Sequence, residues 1–243
     1  MSLTVSYSPS AAFKRVPAGQ WPARCVGVID LGTQKTQYPG EDEKLQRQVM
    51  LQFEVYGEDD AGVPLTVEHE GAEVPMQIST KRMTMSLNEK ANLRKTLHAW
   101  RGRDFTPEEL KGFSIAKLIG APALLNVVHE EGKNGKTYAG IFSITPLPAA
   151  MKKAMPPAAT KTVVFDLDEF DAEVFDGFSE YLQNIIKESV EFKERKPPAK
   201  VTKAGVELTP ALEDMDDDVP FILSLNDFSV LSSKARRMAR TEF

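Results

Sequence analysis

Apolar and polar positions alternate most clearly over Gln46–Tyr56. Val49, Leu51, Phe53 and Val55 fall on one side, and Gln48, Met50, Gln52 and Glu54 on the other. A period of two predicts a half-buried β-strand. Before it, Trp21–Leu31 (WPARCVGVIDL) is rich in strand formers and ends at Gly32, which predicts a first strand; a polar loop then runs to about Lys44. Met76–Met85 alternates more weakly and is taken as a third strand. The period then changes. Ser86 and Glu89 have the spacing of a capping box, and NEKANLRKTLHAW (88–100) predicts a helix closed by Gly102. Thr106 and Glu109 form a second such box with Pro107 at the first helical position. Ala121–Glu130 and Lys136–Pro146 predict two further strands, joined through Asn134-Gly135, a strong hairpin signal. Five strands with a helix between the third and fourth is the order of an OB-fold, a small barrel often used on single-stranded nucleic acid.

Composition places the 243-residue chain among ordinary globular proteins, with 42% apolar and 27% charged residues. It has no apolar run of membrane-spanning length and no secretory signal, so no membrane association is expected. The single cysteine, Cys25, allows no internal disulfide and fits a reducing cytoplasm. His69, His98 and His129 have no metal-ligand spacing, and no phosphate loop, nucleophile elbow or paired-carboxylate motif precedes residue 160. No metal, no cofactor and no catalytic residue is expected.

The net charge of −5 argues against a nucleic-acid partner until it is divided along the chain. Residues 1–150 are neutral, 151–161 carry +3, 162–221 carry −10 and 222–243 carry +2. A proline- and alanine-rich stretch around 146–159 marks a boundary near residue 150. This gives a binding domain over 1–150 and, over 151–243, a linker, an acidic amphipathic segment and a tail. A second linker reads KPPAKVTK (196–203).

In the first helix, Lys90, Arg94, His98 and Arg101 recur at near-helical spacing beside an apolar stripe of Leu93, Leu97 and Trp100. A basic ridge of this kind suits a phosphate backbone. Lys81, Arg82 and Arg103 extend it. Among nearby aromatic residues, Tyr56 is the first choice for base stacking, because it shares a face with Gln48, Gln52 and Glu54; Tyr138, beside the hairpin turn, is the second. In 162–192, Val174, Phe178, Tyr181, Leu182 and Ile185 recur at helical spacing. That segment has three open roles: docking on the barrel, self-association into a homo-oligomer, or occupation of the DNA groove as an acidic mimic. Residues 213–221, EDMDDDVPF, offer Asp216, Asp217, Asp218, Pro220 and Phe221 to a partner: an apolar anchor beside carboxylates that steer toward a basic rim.

The stretch EDMDDDVPF resembles the C-terminal tail of bacterial single-stranded DNA-binding proteins, which recruits replication and repair enzymes. RVPAGQWPARCVGVIDLGTQ (15–34), SLNEKANLRKTLHAWRGRDFTPEEL (86–110) and LIGAPALLNVVHEEGKNGKTYAGIFSITPLP (118–148) resemble OB-fold single-stranded DNA-binding proteins of tailed phages and prophages, some labelled replication initiation proteins. The resemblance implies an OB-fold, no catalysis, and sequence-tolerant binding of single-stranded DNA in replication, recombination or repair, in the bacterial host cytoplasm. The chain departs from the bacterial pattern in one respect. Phe221 is followed by residues 222–243, so its carboxylate is not free as it is in those tails. The competing expectation is a protein-interaction module whose barrel binds no DNA and whose acidic segment mimics the polyanion, recruiting or inhibiting a DNA-processing enzyme.

Overall fold

The computed structural model describes residues 14–36, 42–69, 71–132 and 135–195. The second linker and the acidic run, with Asp216, Asp217, Asp218, Pro220 and Phe221, lie outside them. The architecture is mainly β. Strands β1 (Gly19–Thr36), β2 (Lys44–Val55), β5 (Gln77–Ser79), β7 (Pro122–Glu131) and β8 (Thr137–Thr145) form an antiparallel sheet in the order β5-β2-β1-β7-β8. The sheet curls until β5 and β8 come close, without hydrogen-bonded pairing between them. A short strand β6 (Met83–Thr84) also pairs with β2, and a hairpin of β3 (Thr66–His69) and β4 (Ala72–Pro75) stands apart as its own two-stranded sheet.

The alternation in β2 does what its period demands. Val49, Leu51, Phe53 and Val55 enter a core with Ala23, Cys25 and Val28 of β1, Leu125 and Val127 of β7, and Ala139 and Ile144 of β8. Burial pushes the Cys25 thiol up to about 12, so it stays protonated and unreactive at neutral pH. The third strand is split. Thr80 N–H still donates to Leu51 O, but its hydroxyl instead of a backbone carbonyl accepts the Leu51 N–H, so β5 and β6 are separate pieces on one partner.

Helix α1 (Asn92–Arg101) starts later than its first capping signal predicts. The Ser86 hydroxyl accepts the Asn88 N–H and Asn88 in turn accepts the Lys90 N–H, so a local turn captures the groups that a capping box needs. Ala91 caps the helix without a side-chain bond, and Lys90 lies outside it. Gly102 ends α1 in the left-handed conformation, donating to His98 O. The second box forms as expected at the start of α2 (Pro107–Lys111): Thr106 accepts the Glu109 N–H and Glu109 accepts the Thr106 N–H.

The outer face of β2, expected to be half-exposed, is buried from Gln48 to Glu54. Residues beyond 150 cover it. After α3 (Ala149–Ala154), the chain crosses the β1–β2 face and adds β9 (Val163–Phe165) parallel to β1. It then forms α4 (Ala172–Asp176), α5 (Glu180–Glu188) and α6 (Val190–Glu194). Phe165, Leu167, Phe175, Phe178, Leu182, Ile185 and Ile186 make a second core with Ile29, Leu31 and Met50 from the strands. The acidic amphipathic segment therefore docks on the sheet through 162–194, and residues on both sides of position 150 share this core.

Polar contacts hold the crossing. Arg24 and Glu54, opposite each other on β1 and β2, grip the chain from two sides. Arg24 donates to Pro156 O at 2.6 and 3.1 Å, and buried Glu54 accepts the Ala159 and Thr160 N–H groups at 3.1 and 2.6 Å. At the far end, buried Asp30 receives the Arg47 guanidinium on two nitrogens, and Arg47 also reaches Asp168. Asp30, ahead of Asp168, holds the Arg47 pKa above its usual range.

At Gly32 the two layers approach closely. Its φ is +70°, and a Cβ there would lie 2.5 Å from Leu167 Cδ2 and 2.6 Å from Ser189 Cβ. Gly32→Ala is expected to destabilise the protein by about 2 kcal/mol or more, combining left-handed backbone strain with overpacking. Urea unfolding measures this, and an unchanged midpoint would mean that the layer is not seated on β1. Among the described residues, no helix is long and apolar enough to cross a membrane.

Candidate nucleic-acid interface

The exposed side of α1 and the bulged edge strand β8 frame a groove of 270 Å³. Leu93, Leu97 and Trp100 turn α1 toward the core, where Trp100 meets Phe53 edge-on at 5.3 Å and donates to Pro122 O. Asn92, Lys95 and Thr96 face the groove from the other side of the helix, and Lys81 and Arg82 enter from the segment between β5 and β6.

The β8 wall carries an unusual side chain. Asn126 pairs with Ser143 and Val127 with Ile141, so Phe142 is the extra residue of a β-bulge. Ala139 and Ile141 point inward, which leaves Phe142 outward; the bulge absorbs the change of parity, so Ile144, three residues beyond Ile141, points inward as well. Its ring is 73% exposed, the largest exposure of any large apolar side chain among the described residues. Tyr138 precedes it on the outward side of β8, half-buried and opposite Glu130. Phe142, rather than Tyr56 or Tyr138, is the ring that lines the groove. The break in apolar spacing between Ile141 and Ile144 is the signal that identifies it.

The other residues singled out from the sequence divide by their surroundings. Lys81 lines the groove and pairs with Glu130 at 2.9 Å, with both side chains largely exposed. Arg82 lines it as well. Lys90 is exposed in the turn before α1. Arg94 and Arg101 lie at the flank of the packed stripe rather than on the crest of the helix, with side chains only 16% and 14% exposed. Arg94 donates to Leu87 O and pairs with Asp104. Arg101 pairs with Glu109 and lies 4.4 Å over the Phe105 ring. Arg103 is exposed and reaches the same Glu109 at 2.8 Å. The crest of α1 belongs instead to Lys95, which lies outside the Lys90–Arg94–His98–Arg101 series.

Tyr56 is not part of the groove. It stands just beyond β2 on the side crossed by residues 156–160, donating to Glu54 at 2.6 Å, with Pro157 O 3.4 Å away. Burial, reinforced by the Glu54 charge, raises its pKa and keeps it neutral.

A second recess, of 330 Å³, lies across α1 and is lined by Glu89, Arg94, Lys95, His98 and Asp104. Lys95 is common to both. Among the described residues, no group of three or more His, Cys, Asp or Glu side chains is placed to hold a metal ion. Cations beside an outward ring in an open groove can hold phosphates and stack a base. The chain matches no protein-family model, and no curated protein matches it.

Proposed function

We propose that the protein is a sequence-tolerant single-stranded DNA-binding protein of the OB-fold type, acting in phage replication, recombination or repair. The exposed Phe142 ring beside Lys81, Arg82 and Lys95 carries this reading. An exposed ring stacks any base, and lysine or arginine at a phosphate releases counterions regardless of sequence. The strand order β5-β2-β1-β7-β8, with its ends drawn together and α1 before the fourth strand of that path, supports the OB reading. The resemblance of 15–34, 86–110 and 118–148 to phage single-stranded DNA-binding proteins agrees with it. Recruitment of replication or repair proteins falls to Asp216, Asp217, Asp218, Pro220 and Phe221.

Fluorescence anisotropy with labelled oligo-dT, against a duplex of equal length, tests the proposal. Single strands should bind in preference to duplex. Engagement of the three groove cations should give a slope of log K on log salt of about −2. Equal affinity for duplex, or no binding at low salt, would overturn it.

A further inference from the structure

Two carboxylates beyond the groove each stand between two basic side chains. Asp104 Oδ1 lies 3.4 Å from Arg94 Nη2 and 3.7 Å from His98 Nδ1, on the wall of the second recess. Glu109 receives Arg103 Nη2 at 2.8 Å and Nη1 at 3.0 Å, and Arg101 Nη2 as well. Both carboxylates are fixed by backbone rather than chosen by the arginines. Asp104 accepts the Phe105 N–H at 2.8 Å, and Glu109 is the closing residue of the α2 capping box. Arg103, foremost, holds the Glu109 carboxyl down at about 2. The pairing is still incomplete: Arg101 Nη1 is buried without a protein partner among the described residues.

A carboxylate offers a guanidinium the same two-oxygen face as a phosphodiester. The pairs are each open on one side, at Asp104 (60% exposed) and at Arg103 (55%), with Arg94, Arg101 and Glu109 more covered; ion pairs are weak and easily exchanged where they meet solvent. Lys95 joins the recess to the Phe142 groove, so Lys81, Arg82, Lys95 and Arg94 line one path across α1; Arg101 and Arg103, held by Glu109, follow at the C-terminal end of the helix. We infer that Asp104 and Glu109 are built-in phosphate surrogates. In the free protein they occupy the Arg94–His98 and Arg101–Arg103 pairs, and they yield them to the phosphodiester backbone of a strand long enough to pass from the groove over Lys95. They thereby moderate affinity for long single strands without touching the base-stacking site. The inference rests on the groove being the DNA track.

The variants E109Q and D104N remove charge and keep local structure. Glutamine still closes a capping box, and an asparagine oxygen still accepts the Phe105 N–H. The probes are oligo-dT of about 4 and about 16 nucleotides, the span of site sizes for one such fold. E188Q, at an exposed position of α5, makes the same charge change away from the path. E109Q and D104N should each bind the long oligonucleotide about two- to fivefold more tightly. Their salt slope should steepen by about 0.7 for each phosphate gained. The short oligonucleotide should bind as to wild type, and E188Q should match wild type on both. If wild type binds both probes and neither variant tightens the long one, the inference fails and the groove reading stands. Equal gains on both probes, or an equal gain from E188Q, would reduce the effect to net charge and also overturn it. If wild type binds neither probe, both readings fall.

Discussion

Phe142→Ala is expected to weaken binding to single-stranded DNA by about 1–3 kcal/mol, the usual worth of one base stacked on one ring. That range corresponds to about fivefold to more than a hundredfold in affinity. The loss should come without loss of stability, because the ring is 73% exposed and takes no part in either core. Anisotropy titration at fixed salt, with thermal unfolding alongside, separates the two quantities. An affinity within experimental error of wild type would remove the ring from the interface. A large drop in stability would mean that the bulge packs its side chain instead of presenting it.

The covering layer carries the second large effect. Leu182 is fully buried in the core shared with Ile29, Leu31 and Met50. Leu182→Ala should cost about 2–5 kcal/mol, which combines lost apolar burial with a cavity. Against a typical total of about 5–15 kcal/mol, such a loss releases much of the layer under mild denaturant. Cutting the chain at residue 150 goes further. It strips the cover from Ile29, Leu31 and Met50 and leaves Arg24 and Glu54 without their contacts to residues 156–160. The fragment should therefore self-associate through that face or unfold more readily than the full chain. Light scattering with urea unfolding reads both, and a monomeric fragment as stable as the full chain would contradict the shared core.

The local elements were legible in the sequence, because their signals are local. The inward side of β2 follows from alternation, the Thr106–Glu109 box from spacing, and the α1 stripe of Leu93, Leu97 and Trp100 from helical period. What escaped depends on contacts distant in the chain. Gln48, Gln52 and Glu54 have the polarity of a solvent-facing row, yet residues more than 80 positions away in the chain cover much of that face; Thr160, for instance, satisfies Glu54. Tyr56 shares the polarity of that row and is drawn in with it. Charge spacing placed Arg94 and Arg101 on a ridge. Their partners, Asp104 and Glu109, come from the loop and helix after α1, and no helical wheel contains them. Lys90 lost its helical position to the turn at Ser86–Asn88. Phe142 sits at a single-residue bulge that reverses the parity of everything after it, so no single uninterrupted alternation over β8 places its ring; the break in spacing does.

Fluorescence of the Phe142→Trp variant tests the placement of DNA on this groove most directly. The chain's own tryptophans, Trp21 and Trp100, are half-buried and buried, so the added indole reports separately in a difference spectrum against wild type. Stacking of thymine on the new ring should quench its emission saturably as oligo-dT is added, with the same midpoint as anisotropy and little response to duplex. Binding seen by anisotropy while the indole emission stays unchanged would contradict the groove at α1 and β8 as the DNA site.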